Sequence, residues 1–287
     1  MLGIIGGSGV YELAGLETAE EAAVETPWGL PSDVVRIGEV NGRRVAFVPR
    51  HGRGHRYSPT TVPYRANIAA MKQLGVTHLL SVSAVGSLSE RLPPRSLVVP
   101  DQIIDRTVAR PRTFFDGAIV AHVGIAEPFC PLLRERLAGA AASVGRKVHD
   151  GGTYVCIEGP QFSTKAESRL FRSWGADLIG MTAMPEARLA REAELCYATL
   201  ALVTDFDVWH ESEEAVSVDV VLGHLRANSV AAGEILRALA SGPLPERQCD
   251  CATALSGALM TDRSGLEPTE VDRLGVIGAR VLSAGER

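Results

Sequence analysis

Asp205 and Asp207 stand at alternate positions after an apolar run, in the stretch Cys196 to Trp209 that reads CYATLALVTDFDVW. An extended chain points residues i and i+2 to the same side, so this spacing predicts two carboxyls on one face. Acids that close repel, and the repulsion eases if one stays protonated or if both hold something. A carboxylic acid kept protonated away from water is a general acid. The competing reading is a loop acid capping the next helix, through Asp207 or Ser212. A second group is Pro49-Arg50-His51-Gly52-Arg53-Gly54-His55, with its arginines, histidines and glycines crowded behind a predicted strand. Arginine presents a planar fork to phosphate and histidine a directional donor, so the segment reads as an oxyanion site rather than a solvated basic loop. A third is Gly6-Gly7-Ser8-Gly9, where backbone N–H groups and the Ser8 hydroxyl could face an anion. It lacks the third glycine of the dinucleotide fingerprint, Glu standing at position 12, and the chain has no Gly-Lys pair for a P-loop.

These groups need elements to position them. Leu2 to Ile5 and the near-continuous apolar Ala198 to Val203 suit strands buried on both faces. Val34 to Val40 and Arg44 to Val48 predict strands joined through Asn41-Gly42, a strong hairpin signal. Leu79 to Val85 predicts a buried strand whose end is small (Ser83, Ala84, Gly86), leaving room for a ligand. Leu97 to Ile104 predicts two strands broken at Pro100-Asp101, and Ile119 to Val123 a strand that carries His122. A lone histidine there reads first as a packed core residue. Thr153 to Ile157 predicts a strand, followed by Glu158 to Thr164, where Ser163 or Thr164 caps a helix with Glu167 as box partner. Phe162 could offer its ring to a flat heterocycle. Ile179 to Thr182 ends another strand, and Met181 reads as a packing residue that also touches ligand. Helices are expected from Ser58 to Gly75, from the opening segment Glu127-Pro128-Phe129-Cys130-Pro131 to about Ala142, from Pro185 to Glu194 and from Glu213 to about Ala240. Ligands of open α/β sheets sit beyond the strands' carboxyl ends, which is where the acids and the basic loop fall.

The chain has 287 residues, enough to bury a full core. Its net charge of −5, with acids and arginines interspersed, argues against a nucleic-acid partner. No apolar run nears the roughly 20 residues of a membrane span, and no basic segment precedes the first apolar residues, so a cytoplasmic protein is expected. Past residue 242 the composition changes. Residues 243–260 read as an arm, and residues 261–287, rich in glycine, serine and charge, are expected to be loosely held or partly disordered. Cys130, Cys156 and Cys196 lie in apolar contexts and read as buried thiols. Cys249 and Cys251 read by default as free thiols, and two cysteines without two further ligands make a poor zinc site.

The segments GIIGGSGVY, PRHGRGH, SVSAVGSL, DQIIDRT, AEPFCP, IEGPQFST, IGMTAMPE and LVTDFDVW together resemble, in order, those of the 5'-methylthioadenosine phosphorylases, a branch of the trimeric purine nucleoside phosphorylases. The resemblance covers roughly residues 1–240. It implies one α/β phosphorylase domain over residues 1–242, with a central mixed, partly barrel-like sheet flanked by helices, assembled as a homotrimer. It implies phosphorolysis of methylthioadenosine with inorganic phosphate as co-substrate and no cofactor or metal. By position it implies phosphate contacts from Ser8, Arg50, His51, Ser83, Ala84 and Thr182, and a ribose contact from Met181. Phe162, Ser163, Ile179, Asp205 and Asp207 match the base pocket, and Val216, Val218, Val221 and Leu222 the apolar lining near the sugar's 5' end. His122 matches a residue lent by a neighbouring subunit. Ser8 and Ser83 stand where some members carry threonine and keep the hydroxyl. The 6-oxopurine branch carries Asn and Glu where this chain has Asp205 and Ser163. Some members place a similar cysteine pair near the C-terminus, where a disulfide is an alternative to free thiols.

On this reading Asp205 is the acid for the purine N7, its pKa raised by burial and by Asp207. Asp207 accepts from the 6-amino group or orients Asp205. Alternatives are a phosphorylase preferring adenosine, 5'-deoxyadenosine or methylthioinosine, a hydrolase of the same bond, and a non-catalytic nucleoside binder. A dehydrogenase is the poorest.

Overall fold

The structure is a computed structural model that describes residues 1–10, 16–210 and 218–283, with the side chains of residues 17–19, 218–222 and 263 outside that description. In chain order the elements are β1 (Leu2–Gly6), β2 (Glu17–Ala22), β3 (Val35–Val40), β4 (Arg43–Pro49), α1 (Tyr64–Gln73), β5 (His78–Ser87), β6 (Leu97–Val99), β7 (Gln102–Arg106), α2 (Pro131–Ser143), β8 (His149–Asp150), β9 (Thr153–Ile157), α3 (Lys165–Ser173), β10 (Leu178–Gly180), α4 (Ala183–Glu192), β11 (Cys196–Asp205), α5 (Val218–Ser241) and α6 (Pro268–Leu282). The strands form one mixed sheet, as expected, running β2-β3-β4-β1-β5-β10-β9-β7 and branching at β5 to β11, β6 and β8.

β5 is the hub. It pairs in parallel with β1 over its first half and with β11 from His78 to Gly86, then antiparallel with β10 at Gly86 and Ser87. Alternation along these strands divides the core into two layers. Leu79, Val85, Tyr197, Ala201 and Val203 face α1, α4 and α6. Leu80, Val82, Ala198, Leu200 and Leu202 face α2 and α5. β11 is buried up to its last residue, which is why its sequence reads as an unbroken apolar run.

The Asn41-Gly42 hairpin forms, Val40 opposite Arg43 and both turn residues at positive φ. Thr164 caps α3 in a capping box, accepting from the Glu167 N–H while Glu167 accepts from Thr164 N–H. Other expectations need correction. The helix expected from Ser58 begins at Tyr64, because Pro63 turns the preceding chain out of helical backbone and Ser58 and Thr61 close a turn instead. The strand expected at Ile119 to Val123 is reduced to one bridge, Ala121 with Leu259, so that segment receives the arm rather than joining the sheet. The segment expected to be loose, residues 261–287, contains α6. Leu274, Ile277, Val281 and Leu282 are buried on the core at helical spacing, and Arg280 Nε donates to Glu194 Oε2 at 2.9 Å. Glycine and charge in its composition hid that 3–4 spacing.

Ile277→Ala should therefore cost about 2–5 kcal/mol, as core truncations do. Chemical denaturation followed by circular dichroism checks this; an unchanged midpoint would show α6 undocked.

Candidate active site

At the carboxyl ends of β4, β5 and β11 lies a cavity of about 260 Å³. Ser8, Arg50, His51, Ser83, Ala84, Thr182, Met181, Phe162, Ser163, Ile179, Asp205 and Asp207 all line it. Twelve residues scattered over the chain are thus brought to one place. The others are not. His122 is exposed and lines no part of the cavity. Val216 lies outside the described residues, and Val218, Val221 and Leu222 are described only as backbone of α5.

Arg50 commands one end. It is buried, and its fork meets Glu186 twice: Nε to Oε2 at 2.8 Å and Nη2 to Oε1 at 3.0 Å. Nη2 also donates to Ser81 Oγ at 2.6 Å and Nη1 to Val82 O at 2.9 Å. Of the five N–H donors of a guanidinium, one on Nη1 is left without a partner among the described residues and can serve a ligand. Burial alone would loosen the Arg50 proton, but the Glu186 carboxylate outweighs it and holds the charge in place. Gly7 lets the first loop approach, since a Cβ there would meet Val82 O at 2.4 Å and Arg50 Nη1 at 2.8 Å. Ser83 and Thr182 hydroxyls touch at 3.0 Å beside it.

The other residues of the basic loop divide. His51 Nδ1 lies 2.8 Å from Tyr57 O, so Nδ1 carries the hydrogen and donates it. Burial, then the neighbouring Arg50 charge, push the imidazole down to about 4. His51 is therefore neutral, and Nε2 is an acceptor, not the donor expected of it. Its ring stacks on His55 at 4.2 Å. Arg53 turns outward and pairs with Asp33 at 3.1 Å and Glu21 at 3.3 Å, so it is not part of the cavity.

The acids hold the other end. A bulge between Val203 and Asp205 re-aims the strand, and Asp207 has φ of 53°, so the pair does not lie on extended chain as the spacing suggested. Instead Asp207 N–H donates to Asp205 Oδ1 at 2.8 Å. The Thr204 hydroxyl lies 2.7 Å from Asp205 Oδ2 and 3.2 Å from Val85 O. It has one hydrogen, so a proton on Asp205 would satisfy both contacts at once. Burial raises the Asp205 pKa, partly offset by these bonds and by His224. Burial, aided by the Asp205 charge, pushes Asp207 up to about 6. Asp207 Oδ2 and Ser163 Oγ are buried and make no hydrogen bond among the described residues. Gly86 is required between them: a Cβ there would meet Asp205 Oδ1 at 2.8 Å.

Two positioning residues escaped the sequence reading. Glu186 is in α4 and is buried; nothing in the helix's sequence marks it as the partner of a distant arginine. Tyr197 supports it by donating to Oε1 at 2.9 Å. Arg110, in the loop after β7, is buried and donates to Met181 O, Met184 O and Glu158 O, fixing the chain around Met181. Hydrogen bonds from Thr60, Val108, Ala109 and Arg110 outweigh burial and hold Glu158 at about 2.

Beside the branching of the sheet at β5 the cavity thus has a basic end at Arg50 and an acid end at Asp205 and Asp207. A family model, the phosphorylase superfamily, matches residues 1–241. The chain belongs to that superfamily and, within it, to the S-methyl-5'-thioadenosine phosphorylase family. It is 51% identical over 278 residues to the S-methyl-5'-thioadenosine phosphorylase of Geobacter sulfurreducens, covering 96% of this chain and 97% of that protein. To that of Cereibacter sphaeroides it is 51% identical over 285 residues, covering 98% of each. The crystal structure of a methylthioadenosine phosphorylase from an antarctic soil metagenomic library superposes with a TM-score of 0.90 at 48% identity, covering 96% of this chain and 98% of that one. The Schistosoma mansoni methylthioadenosine phosphorylase in complex with adenine gives 0.81 at 40% identity, over 84% of this chain and 90% of that one.

Glu186→Gln would leave the buried Arg50 charge uncompensated. We expect a stability loss of about 3–5 kcal/mol together with a raised KM for inorganic phosphate. Unfolding titrations and initial rates check the two effects separately.

Proposed function

We propose that the protein cleaves S-methyl-5'-thioadenosine with inorganic phosphate, releasing adenine and S-methyl-5-thioribose 1-phosphate. The observation that carries this reading is the polarity of the cavity. Arg50, Ser83 and Thr182 gather at one end, and Asp205 and Asp207, with one buried oxygen that makes no hydrogen bond among the described residues, at the other. Ser83 and Gly86, which mark the two ends along β5, are about 10 Å apart at strand spacing. That span holds a sugar with phosphate below and a purine above.

Breaking the C–N bond builds positive charge on the sugar and negative charge on the departing base. The Asp205–Asp207 pair shares one proton, which passes to the purine N7 from Asp205, while Asp207 accepts from the 6-amino group. Phosphate sits against the free Nη1 hydrogen of Arg50 and the Ser8, Ser83 and Thr182 hydroxyls. A monoprotonated phosphate gives its own hydrogen to Nε2 of neutral His51. The bound anion is held for attack and also stabilises the cationic sugar. Met181 and Phe162 pack the ribose and base. No cofactor or metal enters this chemistry.

The protein is further proposed to work as a cytoplasmic homotrimer. His122 is exposed and outside its own chain's cavity, which supports the reading that it is lent to a neighbour's site. Among the described residues no helix is long and apolar enough to cross a membrane. A second reading, that adenosine is also a substrate, is favoured by the structural relative described as an adenosine/methylthioadenosine phosphorylase from Schistosoma mansoni, 39% identical over 84% of this chain.

Release of the free base should require inorganic phosphate and be faster from methylthioadenosine, as adenine, than from adenosine, as adenine, or methylthioinosine, as hypoxanthine. Adenine formed at the same rate in phosphate-free buffer would point to a hydrolase instead. Asp205→Asn should lose about 10²–10⁴-fold in turnover while still binding phosphate, and near-normal turnover would remove Asp205 from the acid role.

The pH dependence follows the same pair. The protonated form is the active one, so kcat/KM for the nucleoside should fall as pH rises through about 6. That limb belongs to the coupled carboxyls, and Asp207→Asn should displace it. A limb that stays in place would assign it to another group.

A further inference from the structure

Four of the five cysteines converge far from the cavity. The Sγ atoms of Cys130, Cys196, Cys249 and Cys251 all lie within 4.8 Å of one another. Cys249 is 3.6 Å from Cys130 and 3.5 Å from Cys196, and none is bonded to another. A tetrahedral thiolate site with zinc–sulfur bonds of about 2.3 Å has sulfur–sulfur edges of about 3.8 Å. The cluster therefore already has close to the size that a zinc ion requires.

The four come from three separate parts of the chain. Cys130 caps the N-terminus of α2, and Cys196 is the first residue of β11. Cys249 precedes, and Cys251 lies within, the single 3-10 turn Asp250–Thr253 of the arm. The sequence reading of a poor zinc site counted only the last two; the fold supplies the missing ligands from residues that read as packed thiols. The fifth cysteine, Cys156, lies elsewhere, against Met184 O at 3.8 Å.

The surroundings suit an anionic metal complex. Four thiolates and one divalent zinc carry a net charge of −2. Arg191 Nη1 donates to Cys251 Sγ at 3.4 Å, Arg247 lies against Cys196, and the N-terminal backbone of α2 faces Cys130. Arg247 Nε is buried and makes no hydrogen bond among the described residues. Cys130, Cys196 and Cys251 are buried, while Cys249 is partly exposed and gives a path for the ion to enter.

We propose that Cys130, Cys196, Cys249 and Cys251 form a tetrathiolate zinc site. Ion binding displaces the thiol protons to solvent and forms four zinc–sulfur bonds. With all four positions taken by protein, no water or substrate can bind the metal, so the site is structural. Cys196 and Asp205 occupy opposite ends of β11, about 30 Å apart at strand spacing, which separates this site from the chemistry. Its effect is to clamp the arm onto the start of β11 and the head of α2.

Elemental analysis of the whole protein, expressed with zinc and purified under reducing conditions without chelator, tests this. About one zinc per chain is expected, with the content about tenfold lower or less in Cys251→Ser and Cys249→Ser. The thermal midpoint of the wild-type protein should fall when zinc is stripped and return when zinc alone is added back. Should a serine variant fail to fold, mercurial titration of wild-type protein replaces it. Blocking the thiols should release zinc in proportion, read with a chromogenic chelator. Wild-type protein that holds no zinc and gains no thermal stability from added zinc would overturn the proposal. A Cys249–Cys251 disulfide in the reduced preparation, or iron in place of zinc, would overturn it equally.

Discussion

The ion pair between Arg50 and Glu186 is the constraint that the site depends on. Both side chains are buried, and a lone charge at either position would carry a desolvation penalty of several kcal/mol. Two-point contact removes that penalty only when α4 and the end of β4 hold one fixed separation. Tyr197 on β11, Ser81 on β5 and the Val82 carbonyl add directional bonds, so four elements meet at one ion pair. The consequence is a positive group aimed into the cavity that cannot swing away when the cavity is empty.

A cavity with such a fixed charge at one end imposes a condition on the other. Had Asp205 and Asp207 faced Arg50 directly, the charge would have held them ionised. They sit instead beyond Gly86, where burial dominates and both pKa values rise. The same sheet thus keeps a cation permanently charged and, a few residues along β5, favours neutral acids. His51 belongs to the first of these regions and is driven neutral by it, so the histidine completes the anion end as an acceptor.

Much of this was legible in the residues. Motifs that touch the ligand space, such as Arg50-His51 or Asp205 and Asp207, occupy short stretches with local signatures. The apolar run of β11, the Asn41-Gly42 hairpin and the Thr164 cap are likewise local. What stayed hidden depends on contacts between distant segments. Glu186 is an ordinary helical glutamate until Arg50 is placed beside it. Arg110 is one arginine among several in a polar loop until its carbonyl partners are known. Cys130 and Cys196 look like apolar packing until the arm brings Cys249 and Cys251 to them. α6 was missed for a different reason: its apolar spacing is regular, but glycine and charge dominate its composition.

The bulge that ends β11 divides the cavity wall into a part that cannot be altered and a part that can. Every residue from Cys196 to Val203 is in register with β5, and that register sets where the carboxyl of Asp205 arrives. A side chain enlarged anywhere along it moves the Asp205 carboxyl itself. The rim at Phe162 and Ser163 is not in register with β5; Phe162 is 49% exposed, and the Ser163 hydroxyl makes no hydrogen bond among the described residues. Drift toward other heterocycles, in nature or in the laboratory, has that rim as its open route, while the strand behind it keeps the reaction the same.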